Sequence, residues 1–173
     1  APIGVAALLF QVVGTTGLSV LVALAAYGGV VLLGLLLHIL IVYMPVVKFL
    51  ARLPFLGFLG AIRAALILAF STSSSSATLP VTMRAVEDNL DVTNEVSSFV
   101  LPIGATVNMD GTALYQGVAA IFIAQIYGID LTFADQATIV VSATMASIGA
   151  AGVPGAGMLT LAMVLAAVGV PVQ

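Results

Sequence analysis

The 173-residue chain is 62% hydrophobic and 6% charged, with a mean hydropathy of +1.28, whereas soluble domains carry about 25% charge. This is the composition of an integral membrane protein. Four basic and seven acidic residues without a basic run exclude a nucleic-acid partner, and the absence of cysteine excludes disulfides and thiolate metal sites.

Taken in order, Ala1 to Phe10 is apolar and gives way to Gly14-Thr15-Thr16-Gly17, a loop signal. Residues 1–17 are expected to be the end of a transmembrane helix, and the missing initiator Met predicts a piece of a longer chain. Leu18 to Val47 is almost continuously apolar and, at about 1.5 Å per residue, long enough to cross a hydrocarbon core of about 30 Å. Residues 18–53 therefore read as a full transmembrane helix and a loop. Gly28, Gly29 and Gly34 predict a thin face for helix packing. His38 is expected to hydrogen-bond a neighbouring helix, and Lys48 with Arg52 favours a cytoplasmic end.

Residues 54–92 hold two short arms, Pro54 to Phe70 and Thr78 to Leu90, around the run Ser71 to Ser76. Neither arm spans a bilayer, which predicts a re-entrant hairpin with the serines at its tip. Residues 93–134 read as a transmembrane helix broken at Asn108, Met109, Asp110 and Gly111, with Pro102 and Gly104 before the break. A carboxylate at mid-membrane costs about 2.5–3.5 kcal/mol and is normally paired or beside a site. Asp130 to Asp135 is an expected aqueous turn. Residues 135–173 repeat the hairpin scheme, with the tip Gly149 to Gly157 between arms of about a dozen residues each. The fold class is thus all-α integral membrane, with two re-entrant helical hairpins and a broken transmembrane helix.

Discontinuous segments of this kind point to a transporter site near the midplane. The serine tip feeds a helix N-terminus, which favours an anion such as a carboxylate. Asp110, Asn108, Thr106 and Thr112 offer oxygen ligands, which suit a hard cation such as sodium. An enzyme is not expected, because His38 has no supporting serine-hydrolase motif and Asp110 has no second buried carboxylate for an aspartyl dyad.

STSSSSATLPVTMR (Ser71 to Arg84), LPIGATVNMDGTALYQG (Leu101 to Gly117) and ASIGAAGVPGAG (Ala146 to Gly157), with APIGV at Ala1 to Val5, closely resemble the sodium-coupled glutamate/aspartate transporter family, the dicarboxylate/amino acid:cation symporters. The resemblance covers essentially the whole chain. It implies the fifth helix (1–17), the sixth (18–53), the first hairpin (54–92), the seventh helix (93–134) and the second, gating hairpin (135–173). It implies a multi-pass plasma-membrane homotrimer working by an elevator motion.

The resemblance further implies that Ser74, Ser75, Ser76, Thr112, Val153 and Gly157 contact the substrate. It implies one sodium site at the Gly104 and Asn108 carbonyls. A second would use Thr106 with carbonyls of Ser147, Ile148 and Ala150, and a third the side chains of Asn108 and Asp110. Met109 would lie between the ion and substrate sites. Sodium ions are the only ions expected, with no organic cofactor. Two departures are informative. Ser73 stands where archaeal members have an arginine, as in animal members, and Gln116 stands where proton-carrying members have a glutamate, which implies coupling to sodium alone.

The expected function is sodium-coupled symport of aspartate or glutamate. Sodium-coupled transport of neutral amino acids or C4-dicarboxylates is the alternative within the class, because the family's eighth helix, which selects among them, is not in this sequence. An ion channel lined by the re-entrant hairpins is the alternative of another class.

Overall fold

A computed structural model describes residues 2–170; Ala1 and residues 171–173, which belong to the first and last expected segments, lie outside them. Every regular element among the described residues is helical. Helix α1 (Pro2–Thr16) ends at Gly17, whose φ of +84° opens the turn into α2. Helix α2 (Ser19–Leu50) runs for 32 residues and is, among the described residues, the helix long and apolar enough to cross a membrane unaided. Its C-terminal third is not regular. Residues Ile39–Tyr43 and Val46–Leu50 are wound as π turns on either side of Met44 and Pro45, where proline has no N–H to give to the helical ladder.

Helix α2 packs on α7 (Asp110–Ile126). Gly34 accommodates Leu114, where a Cβ would stand 3.1 Å from Cδ2, and the Tyr27 and Phe122 rings meet at 5.1 Å. The expected three-glycine face is not formed. Gly28 and Gly29 have nothing within 4 Å of a built Cβ, because the line of contact runs through Tyr27 and Gly34 and passes them by.

The arm expected as one piece over residues 54–70 is two helices, α3 (Phe55–Ala61) and α4 (Arg63–Thr72), bent by 64° at Ile62. Asn89 donates to the Ala61 carbonyl at 2.8 Å and satisfies an acceptor that the bend frees. Helix α5 (Ser75–Leu90) packs back on α4. The serine run is therefore mostly helix, not loop. Ser71 and Thr72 return their hydroxyls to the Ile67 and Leu68 carbonyls, Ser73 caps α4 at φ +50°, and Ser74 caps α5 by accepting from the Ala77 N–H at 3.2 Å. Hydroxyls that close helix ends in this way need no loop around them.

Helix α6 (Asn94–Val107) is tied to α5 through Glu87, which accepts from Asn94 at 3.0 Å and from the Ser97 hydroxyl. Only Asn108 and Met109 leave helical geometry before α7, so Gly104 and Gly111 lie inside helices. Helix α8 (Phe133–Ile148) starts in a capping box: the Asp135 carboxylate accepts from the Thr132 N–H at 2.9 Å and hydroxyl at 2.7 Å. These bonds hold the Asp135 carboxyl below the usual carboxylate range, so this capping contribution is lost as pH falls through that lowered value. Helix α9 (Ala156–Ala167) returns along α8.

The buried core lies between α7, α8 and α9 and holds Ala120, Ala124, Ile139, Ala143, Val164 and Leu165. Alanines at the crossing let the helix backbones approach, which is how dispersion gathers where lipid supplies no hydrophobic drive. Ile139, fully buried, is the bulky plug. Ile139→Ala is expected to cost about 2–5 kcal/mol, read as a lower melting temperature in detergent, while Val141→Ala at an exposed site leaves it near wild type.

Candidate functional site

The two helical hairpins touch at their tips. The Ser74 hydroxyl donates to the Gly152 carbonyl at 2.8 Å, and the Ser76 N–H donates to the same oxygen at 3.0 Å. Ser74 is buried. The Ser76 N–H is thus bonded to the second tip and the Ala77 N–H to the Ser74 cap. Gly152 sits so close that a Cβ would lie 2.8 Å from Ser76 Oγ and 3.0 Å from the Ala105 carbonyl oxygen.

Beside this junction is a cavity of about 260 Å³ lined by Ser73, Ser75, Met109, Thr112, Tyr115, Val153 and Gly157. Its walls come from both tips and from the first turn of α7. Gly157 leaves room for an aromatic ring: a Cβ there would be 2.6 Å from the Tyr115 hydroxyl and 3.0 Å from Thr112 Cγ2. Gln116, fully buried, donates its amide to the Gly157 carbonyl at 2.8 Å and to Thr160 Oγ1 at 2.5 Å. One side chain thereby ties α7 to the arm that follows the second tip.

Across the break is a larger cavity of about 710 Å³, lined among others by His38, Asn108, Asp110, Thr144, Ser147 and Ile148. Met109 lines both cavities. Asp110 is three-quarters buried, and its Oδ2 accepts from the Tyr43 hydroxyl at 2.5 Å and lies 3.3 Å from His38 Nε2. His38 thus meets a neighbouring helix.

Of the expected substrate contacts, Ser75, Thr112, Val153 and Gly157 share the smaller cavity, while Ser74 and Ser76 are spent on the tip junction. Of the expected ion ligands, Asn108, Met109, Asp110, Ser147 and Ile148 line the larger one. Gly104 and Asn108 line a third, of about 300 Å³, with Ser75 and Thr78, although the Gly104 carbonyl is occupied by the Asn108 N–H at 3.0 Å. Thr106 is exposed and its hydroxyl returns to the Ile103 carbonyl at 3.1 Å, and Ala150 is buried with its N–H on the Ser147 carbonyl. Tyr43, Tyr115 and Gly152 are contributors that sequence reasoning misses. Gly152 and Tyr115 lie inside the quoted motifs, whereas Tyr43 carries no local signal, being five residues from His38.

Paired helical hairpins meeting beside a broken helix, in a chain this apolar, define a helical membrane protein with a cavity lined by two tips. The model of the sodium:dicarboxylate symporter family matches residues 1–173, and the chain belongs to that family. It is 52% identical over 150 residues to excitatory amino acid transporter 1 of Homo sapiens and of Rattus norvegicus, covering 86% of this chain and 27% of each relative. It is 52% identical over 152 residues to an excitatory amino acid transporter of Caenorhabditis elegans, covering 87% of this chain and 30% of the relative. The chain thus spans less than a third of the length of these curated relatives.

The tip junction is directly testable. Gly152→Ala sets a methyl against the Ala105 carbonyl, so spin labels at Ser71 and Val153 are expected to report a longer and broader distance than in the parent. An unchanged distance distribution would show that the tips are not held by this contact.

Proposed function

We propose that the chain forms the substrate- and ion-binding part of a secondary active transporter that couples inward sodium to symport of an acidic amino acid. In this reading residues 54–92 and 135–173 are re-entrant hairpins, residues 93–134 the broken seventh helix, and residues 1–17 and 18–53 the fifth and sixth helices. The observation that carries it is the closure of two tips over a polar cavity separated by Met109 from the cavity that holds Asp110. The family supports sodium as the co-transported ion, and the similarity to excitatory amino acid transporters supports an amino-acid substrate.

The chemistry follows from the geometry. The Ser75 and Thr112 hydroxyls supply hydrogen bonds to a carboxylate substrate in the smaller cavity, beside the tip contact at Gly152. A sodium ion on Asn108 and Asp110 neutralises charge that would otherwise cost about 2.5–3.5 kcal/mol at membrane depth. A second ion, on Thr106 and the Ser147, Ile148 and Ala150 carbonyls, would bridge the end of α6 and the start of the second tip. Ion occupancy and tip position are thereby linked. The site lies in a multi-pass plasma-membrane homotrimer that moves by an elevator step, and no enzymatic step is involved.

Uptake of radiolabelled aspartate by the full-length protein in liposomes is expected to need an inward sodium gradient and to collapse in Asp110→Asn. Sodium-independent flux that only equilibrates would establish the channel alternative, and uptake of neutral amino acids or C4-dicarboxylates in place of aspartate would move the substrate class. Gln116 supplies a second test. A glutamate there can donate to the Gly157 carbonyl only when protonated, and ionised it sets a carboxylate against that oxygen. Uptake by Gln116→Glu is therefore expected to fall as pH rises, while wild-type uptake stays nearly flat; a wild type with the same slope would indicate proton coupling.

A further inference from the structure

We propose that Tyr43 and His38 form a positioning clamp on the Asp110 carboxylate, assembled by the π turn of α2, which sets the affinity of the cation site. The inference rests on the symport reading above. In a regular α-helix a residue five positions on is carried about 140° around the axis, so Tyr43 and His38 would diverge. Residues Ile39–Tyr43 instead bond i→i+5, with the Met44 N–H on the Ile39 carbonyl, and the wider turn brings Tyr43 back toward the face of His38. The two rings meet edge to face at 4.9 Å. Both donors then end on one oxygen, Asp110 Oδ2, at 2.5 Å from Tyr43 and 3.3 Å from His38.

A carboxylate only accepts, so His38 donates from Nε2 and Tyr43 from its hydroxyl. Pinning Oδ2 fixes the rotation of the carboxyl group and leaves Oδ1 for a hard cation, which oxygen ligands suit. Neither clamp residue has to touch the ion. Asn89 on the Ala61 carbonyl shows the same economy elsewhere in the chain, since an irregular turn there too is matched by a side chain from another helix.

The test is the sodium dependence of aspartate uptake by the full-length protein in liposomes, together with the sodium-induced rise in melting temperature of the purified protein, which reads the ion site without transport. Tyr43→Phe keeps the ring against His38 and removes the donor. It is expected to raise the sodium concentration for half-maximal uptake, and for the melting shift, about tenfold. The aspartate half-saturation at saturating sodium should not move. His38→Gln, which retains an N–H donor, is expected within about threefold of wild type, and His38→Leu is expected to behave as Tyr43→Phe. Sodium dependence unchanged in both Tyr43→Phe and His38→Leu overturns the clamp, as does a loss that is equal at every sodium concentration. If Tyr43→Phe does not fold, the His38→Gln and His38→Leu pair decides. Wild-type uptake indifferent to sodium overturns the symport reading, and the melting shift still decides the clamp: no shift with sodium in wild type overturns it too.

Discussion

A helix broken in apolar surroundings frees backbone donors and acceptors that no solvent satisfies, each at a cost of several kcal/mol, and that constraint orders this molecule. The breaks serve one another. The N-terminal turn of α5 needs acceptors and finds the Gly152 carbonyl at the other tip. The bend at Ile62 leaves the Ala61 carbonyl open, and Asn89 closes it from α5. The break at Asn108 and Met109 is partly closed in place, with the Asn108 N–H on Gly104 and the Met109 carbonyl accepting from Thr112 and Ala113. Irregular backbone is thereby concentrated where two or three segments meet, and the cavities lie in those places.

The same constraint governs the contact of His38 and Tyr43 with Asp110. Asp110 begins α7, where the positive end of the helix dipole favours a carboxylate, and α2 adds two hydrogen-bonding partners from the side. A carboxylate so provided for has hydrogen-bond partners at membrane depth, where an unpartnered one is costly. Close packing of α2 on α7 at Gly34 and Leu114 sets the distance at which those partners reach it. The apolar contact and the polar one therefore depend on the same helix spacing.

Much of this was legible in the residues. The family followed from the resemblance of the serine tip, the Asn108-Met109-Asp110 break and the glycine-rich tip to a known family when read together in their order and spacing. The helical class followed from composition alone. What was not legible depended on partners distant in sequence. The bend at Ile62 falls in an unbroken apolar run and is matched by Asn89, 27 residues on; Gly28 and Gly29 read as packing glycines only if the contact line is unknown; and Tyr43 shares a face with His38 only because the helix there is wound wider. Ser74 and Ser76 illustrate the remaining gap. Their type announces hydrogen bonding, but whether to a ligand or to another tip is decided by where Gly152 lies.

The glycines of the second tip divide by what they permit. Gly155, at φ +81°, supplies a turn that other residues adopt with strain. Gly152 and Gly157 supply proximity, since a side chain at either would meet a neighbour at or below 3.0 Å. Closure therefore rests on the fit of small residues and on two hydrogen bonds to a single carbonyl, each worth about 1 kcal/mol net, with no bulky side chain locking the tips. A balance of that size lies within the reach of ligand contacts that differ between two states. Were the tips joined by an apolar interface like that around Ile139, an ion or a small substrate would be too weak to shift them.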